Sequence, residues 1–246
     1  MRNIRTIFNQ AISKKIISSE LYPFGKGKYV PPSSKKRKKA LPMEVIEKIY
    51  NYKSNSPEEA RAKDMWLFAY FANGLNVKDI AFLKYQNIKN GILSFIRAKT
   101  EHSTKDDIKT IEVFVTEDIE RIINKWGRKP QRPKSIIFNI LQPEDLSDIQ
   151  IYRDINQAVR TINKYMKRIA EDLSLERVPT TNFARHSFST VLKRAGVPIE
   201  MISEQLGHTS IKTTQIYLDS FESDQKREIT KFLTPFKTKE ETKVES

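Results

Sequence analysis

The sequence predicts a mainly α-helical protein with a small antiparallel β-sheet. Two observations carry that expectation. Apolar residues recur at helical spacing through most of the chain. Only residues 92–99 and 109–115 alternate as strands do, and a polar turn joins them.

Residues 3–20 place Ile4, Ile7, Phe8, Ala11 and Ile12 on one helical face, and Tyr22-Pro23-Phe24-Gly25 stops that helix. Residues 25–42 are Gly, Pro, Ser and Lys without hydrophobic period and read as an extended linker. It contains Lys35, Lys36, Arg37, Lys38 and Lys39. Such a run is either a solvated stretch or one that tracks a phosphate backbone, and both readings stay open. Val45, Ile46, Ile49 and Tyr50 indicate a helix. The next spans 57–71, with Ser56 as N-cap, Pro57 at the first helical position, and Glu58 and Glu59 in the first turn; Gly74 ends it. A short helix over 78–83 precedes the two strands. Further helices are expected at 117–126, 152–172, 185–195, 198–206 and 211–220, with a last one near 223–233. The polar tail 237–246 is expected to be disordered. No internal repeat is present. The domain organisation is thus 1–24, a linker 25–42, a main domain 43–236 and the tail.

At 246 residues the chain is long enough to bury a real core. With 38% hydrophobic and 30% charged residues it reads as globular, and no apolar run reaches the length of a membrane span. Its first residues lack the apolar core of a secretory signal. The absence of cysteine excludes disulfides and thiolate metal sites, which fits a reducing cytoplasm. Forty-four Lys and Arg against 30 Asp and Glu give a net charge of +14 and a pI near 9.7. That surplus attracts polyanions, nucleic acid foremost, although surface lysines also serve solubility.

The residues that carry chemistry lie in 180–220. Arg185 and His186 open a helix whose Phe188, Val191 and Leu192 face inward, and Gly196 ends it. Pro198 begins the next, with Ile199, Ile202 and Leu206 as its buried stripe and Gly207 as its stop. Ser210 caps a third helix bearing Tyr217. Short helices with tight turns hold polar groups on a rigid frame, as a preorganised site requires.

The string R-H-S-F-x-T, then L-G-H, then T-T-x-x-Y with its tyrosine nine residues past that histidine, resembles the C-terminal signature of the tyrosine recombinases. This is the phage-integrase family, and integrases of bacterial mobile elements in particular. The resemblance covers roughly residues 41–235. Residues 1–24 resemble the last helix of the family's N-terminal core-binding domain, most of which the chain is expected to lack.

The resemblance implies the catalytic-domain fold of the DNA breaking-rejoining enzymes and a bacterial cytoplasmic protein. Tyr217 would attack a DNA phosphodiester, leaving a 3′-phosphotyrosyl link and a free 5′-hydroxyl, and strands would exchange without ATP. Arg185 would donate to the non-bridging phosphate oxygens. His208 would hydrogen-bond the same phosphate or orient the nucleophile, and Lys99 would protonate the leaving oxygen. The implied partners are double-stranded DNA and further copies of the chain, a tetramer joined on DNA through the C-terminal helix and a monomer without it. No metal and no cofactor are implied. His102, His186 and His208 have no metal-ligand spacing, and no Gly-rich phosphate loop is present.

Two positions depart from the family's pattern. Asn76, in Asn73-Gly74-Leu75-Asn76, stands where an arginine is expected, and Asn182 stands where His or Lys is expected. Asparagine carries no charge and cannot act as a base. Strand alternation puts Leu93, Phe95, Arg97 and Lys99 on one face, with Arg97 about 7 Å from Lys99. Arg97 therefore either supplies the missing positive charge or is a surface arginine on the hairpin. His186 takes a supporting role only, and His102 sits in a polar turn. The functions in competition are a strand-exchanging recombinase, a relative that binds DNA but cuts it weakly, and an enzyme resembling a type IB topoisomerase.

Overall fold

The computed structural model describes residues 2–30, 40–97, 110–141, 146–208 and 210–215. The chain divides into two units, residues 1–38 and residues 39–246. In the first, α1 (Arg2–Ser13) ends well short of residue 20. The amide of Ile16 donates to the Ala11 carbonyl at 2.8 Å and that of Lys15 to Ile12 at 2.9 Å, with Lys15 at φ 56°. This is the Schellman closure that glycine usually provides, so a lysine in that place hides the helix end from the sequence. The aromatic segment after it folds into a cluster. Phe24 meets Phe8, Tyr22 and Tyr29 edge-on at 6.2, 5.5 and 6.1 Å, and the Arg5 guanidinium lies 5.7 Å above its ring.

The second unit is built on α3 (Pro57–Phe71), with α2 (Met43–Asn51) before it. The Ser56 hydroxyl accepts from the Glu59 amide at 3.2 Å, the cap that the sequence predicts. Trp66, Leu67 and Phe68 are consecutive and wholly buried, because α5 (Glu117–Trp126), α6 (Asp148–Asp172) and α7 (Thr181–Arg194) all pack on α3. A helix enclosed on several sides is apolar around much of its circumference. Ala40 and Leu41, at the end of the expected linker, are buried, and the Leu41 amide donates to Ser187 Oγ at 2.9 Å.

α3 stops at Phe71, ahead of Gly74, because Asn73 already turns left-handed at φ 54° and Gly74 follows at 64°. Asparagine tolerates that region better than most residues. After this turn α4 (Val77–Phe82) leads to the antiparallel sheet β1 (Ile88–Lys89), β2 (Ile92–Ile96) and β3 (Thr110–Phe114), in the order β1-β2-β3. β1 is too short to alternate and left no sequence signal. Leu93 pairs with Val113 and Phe95 with Ile111, and all four are buried on one face.

α6 begins at Asp148, earlier than expected, where the Ser147 hydroxyl accepts from the Gln150 amide at 3.3 Å. α7 begins at Thr181, so Arg185 and His186 lie inside the helix and do not open it. Its buried positions include Ala184, Ser187, Ser189 and Thr190, whereas Phe188, Val191 and Leu192 are only half-buried. Small side chains let α7 approach α3 closely, which displaces the large residues to the edge of the contact. α8 (Ile199–Gln205) buries Ile202, and α9 (Ile211–Gln215) follows. The expected helix near 223–233 and the tail lie outside the described residues. Among the described residues no helix is long and apolar enough to cross a membrane.

One buried carboxylate ties α3 to α5. Asp64 accepts from Trp126 Nε1 at 2.7 Å and Lys125 Nζ at 2.9 Å, with Arg121 3.5 Å away. Burial pushes its carboxyl up, but those hydrogen bonds and the charges of Lys125 and Arg121 outweigh it, leaving the pKa below the ordinary value. A depressed folded-state pKa stabilises the fold above the unfolded value, about 3.9, and that contribution is lost as pH falls through the folded one. Urea midpoints measured against pH should therefore drop on the acid side for the wild type, and Asp64→Asn should flatten that limb while lowering the neutral plateau.

Candidate active site

Five side chains, Arg97, Arg185, His208, Asp79 and Thr214, come together about the end of α8. The amide of His208 donates to the Ser203 carbonyl at 2.9 Å and that of Gly207 to Glu204 at 2.8 Å, with Gly207 at φ 61°. This Schellman closure is the structural content of Leu206-Gly207-His208: glycine takes the left-handed position and the histidine follows it. A Cβ on Gly207 would stand 2.4 Å from Ile111 Cδ1 and 2.9 Å from Arg97 Cδ, so a larger residue there would push on both side chains.

The closure leaves the Leu206 carbonyl outside the helix's own hydrogen bonding, at the end where carbonyl dipoles accumulate. Two guanidiniums take it. Arg185 Nη2 donates to it at 2.8 Å and Arg97 Nη1 at 3.0 Å. Arg185 also donates from Nη1 to the Gly74 carbonyl at 2.8 Å, and its Nη2 lies 2.9 Å from His208 Nε2. The left-handed turn at Asn73 and Gly74 is what brings that carbonyl in, since a Cβ on Gly74 would stand 2.9 Å from Arg185 Cα. Asn73 pins the turn by donating to the Glu112 carbonyl at 3.1 Å and to the side-chain oxygen of Gln205.

Arg185, Arg97 and His208 are 3%, 7% and 8% exposed. Arg97 is therefore no surface arginine. It follows β2 directly, on the same face as the buried Leu93 and Phe95. Its Nε lies 3.5 Å from the buried Asp79 carboxylate. On the other side of the imidazole, His208 Nδ1 lies 2.8 Å from Oγ1 of Thr214, which is wholly buried on α9. Among the described residues the centre brings together two guanidiniums and one carboxylate, and guanidinium geometry suits an anion carrying several acceptor oxygens.

Asn182 is exposed on the first turn of α7, and His186 is half-buried. Asn76 is half-buried at the start of α4, where its side chain makes no capping hydrogen bond. Tyr217, Lys99, His102 and the run Lys35, Lys36, Arg37, Lys38 and Lys39 lie outside the described residues. Sequence reasoning gave no role to Asp79, to Thr214 or to the carbonyls of Gly74 and Leu206. Backbone carbonyls leave no trace in residue identity, and an acidic residue in the first turn of α4 reads as ordinary helix chemistry. Thr214 was visible only as part of T-T-x-x-Y. Among the described residues no group of three or more His, Asp or Glu side chains is arranged to hold a metal ion.

Residues 39–224 match the family model described as the phage integrase family. Over 191 residues the chain is 27% identical to tyrosine recombinase XerD of Halalkalibacterium halodurans, covering 76% of this chain and 59% of that protein. Over 188 residues it is 29% identical to tyrosine recombinase XerA of Pyrococcus horikoshii, again covering 76% and 59%. The chain thus spans less than two thirds of the length of these relatives. In fold it is similar to the Tn1549 transposon integrase in complex with transposon right end DNA, with a TM-score of 0.60 at 14% identity over 95% of this chain and 77% of that one.

The Asp79–Arg97 pair should matter to stability in its own right. Removing one partner of a buried ion pair typically costs about 3 kcal/mol or more. Asp79→Ala should lower the unfolding free energy by about that much in urea titration, whereas the exposed Asn182→Ala should leave it nearly unchanged.

Proposed function

The chain belongs to the phage integrase family, and from that premise we propose that it is the DNA-cleaving part of a tyrosine site-specific recombinase. The observation that carries the reading is the meeting of Arg185 and Arg97 on one carbonyl beside His208, in a chain of net charge +14. A phosphodiester offers two non-bridging oxygens, and guanidinium forks match them better than any other side chain.

In the reaction, the Tyr217 oxygen attacks phosphorus, a phosphotyrosyl bond forms and the bond to the 5′-oxygen breaks. The phenol loses a proton and the leaving oxygen gains one. Because the new ester retains the energy of the old one, a 5′-hydroxyl from another strand can reverse the step without ATP. A phenol titrates near pH 10 in water, so the attack needs an acceptor for its proton and cations on the crowded phosphorane. Arg185 and Arg97 serve the second need, His208 orients the nucleophile beside Arg185, the phenol's proton passes to water, and Lys99 is assigned the proton for the leaving group. Arg97 takes the place of the charge missing at Asn76. Double-stranded DNA is the substrate, held by the basic surface and by the run at 35–39, and strand exchange is carried out by a tetramer joined through the segment after Tyr217.

The test uses duplexes of randomised sequence carrying a nick, so that the cut fragment diffuses away and the protein stays attached. A covalent adduct stable in SDS is expected, and its DNA sequences should converge on a common site. Tyr217→Phe should abolish it. Arg97→Ala should slow its formation on the order of a hundredfold, and Asn76→Ala should change it little. Salt-sensitive binding without any adduct would establish instead a relative that binds DNA and no longer cuts it.

A further inference from the structure

The contacts of His208 determine where its proton sits. Nε2 lies 2.9 Å from Arg185 Nη2 and Nδ1 lies 2.8 Å from Thr214 Oγ1. A guanidinium nitrogen has N–H donors and no lone pair to offer, so at the first contact the imidazole must accept. An imidazolium would set N–H against N–H there. A neutral ring that accepts through Nε2 carries its proton on Nδ1, which leaves the Thr214 hydroxyl as the acceptor of that proton. Thr214 is wholly buried and β-branched, hence stiff about χ1. Its oxygen is a fixed acceptor and not a wandering one.

We propose that Thr214 is a positioning residue: it takes the Nδ1 proton of His208 and so holds the imidazole in the tautomer whose acceptor nitrogen faces Arg185. The arrangement continues through Arg185 to the Leu206 carbonyl, so one chain of hydrogen bonds runs from α9 through the imidazole and α7 to the end of α8. Such chains orient each member through the next. The catalytic consequence rests on the recombinase reading. With its Nε2 lone pair given to the Arg185 N–H, neutral His208 holds that guanidinium in place and is unsuited to donate from that nitrogen to a phosphate oxygen.

Long-range proton–nitrogen spectra of the 15N-labelled full chain, recorded without DNA about pH 8, read the tautomer directly, with His208→Asn assigning the signals. In the wild type, Nδ1 of His208 should appear as the protonated nitrogen and Nε2 as the bare one. Thr214→Val keeps the shape of the side chain and removes the hydroxyl. It should abolish the single-tautomer signature and slow adduct formation roughly tenfold, the scale of one lost hydrogen bond. Thr214→Ser should restore both. A wild-type ring protonated on Nε2, or a Thr214→Val protein with unchanged tautomer, would overturn the proposal. If Thr214→Val fails to fold, the wild-type spectrum and Thr214→Ser still decide it. Expected spectra without any adduct from the wild type would refute the recombinase reading and leave the tautomer assignment standing.

Discussion

The carbonyl oxygen of Leu206 is the point on which the site is assembled. It lies at the end of α8, where Gly207 turns the chain left-handed and the helix makes no further use of it. Two buried guanidiniums from distant parts of the chain, Arg97 after β2 and Arg185 within α7, donate to it. Like charges brought so close repel, and in a buried place that repulsion is poorly screened. The carbonyl dipole and the carboxylate of Asp79 offset it.

Holding both arginines in place demands close backbone approach. Gly74 and Gly207 are the two positions where a side chain would strike an arginine, and both are left-handed. The turn at Asn73-Gly74 presents a second carbonyl to Arg185, and the turn at Gly207 sets His208 against the same guanidinium. The arginines are thus fixed before any substrate arrives, the condition under which charges act on a transition state without reorganisation.

Asn76 and Asn182 carry no charge, and the second buried guanidinium of the site comes from the hairpin. Period-two alternation places Arg97 on the buried face of the hairpin after Leu93 and Phe95. The sheet needs only to pack its apolar face beside α8 for that arginine to reach Leu206.

By itself the sequence determined the mainly helical class, α3 with its Ser56 cap, the alternating faces of the hairpin, and the family, through R-H-S-F-x-T and L-G-H. These are local or periodic properties, written in the order of residues. It could not reveal that α1 ends at a left-handed Lys15, since lysine announces no such turn. Nor could it disclose that α7 buries small and polar residues while its large ones stay at the edge, because that depends on how near α3 lies. The partners of the arginines were out of reach for the same reason. Two are backbone carbonyls without residue identity, and Asp79 and Thr214 become meaningful only when folding brings them beside Arg97 and His208. Spacing along a chain specifies elements, whereas a site made from several of them is decided only by how they pack.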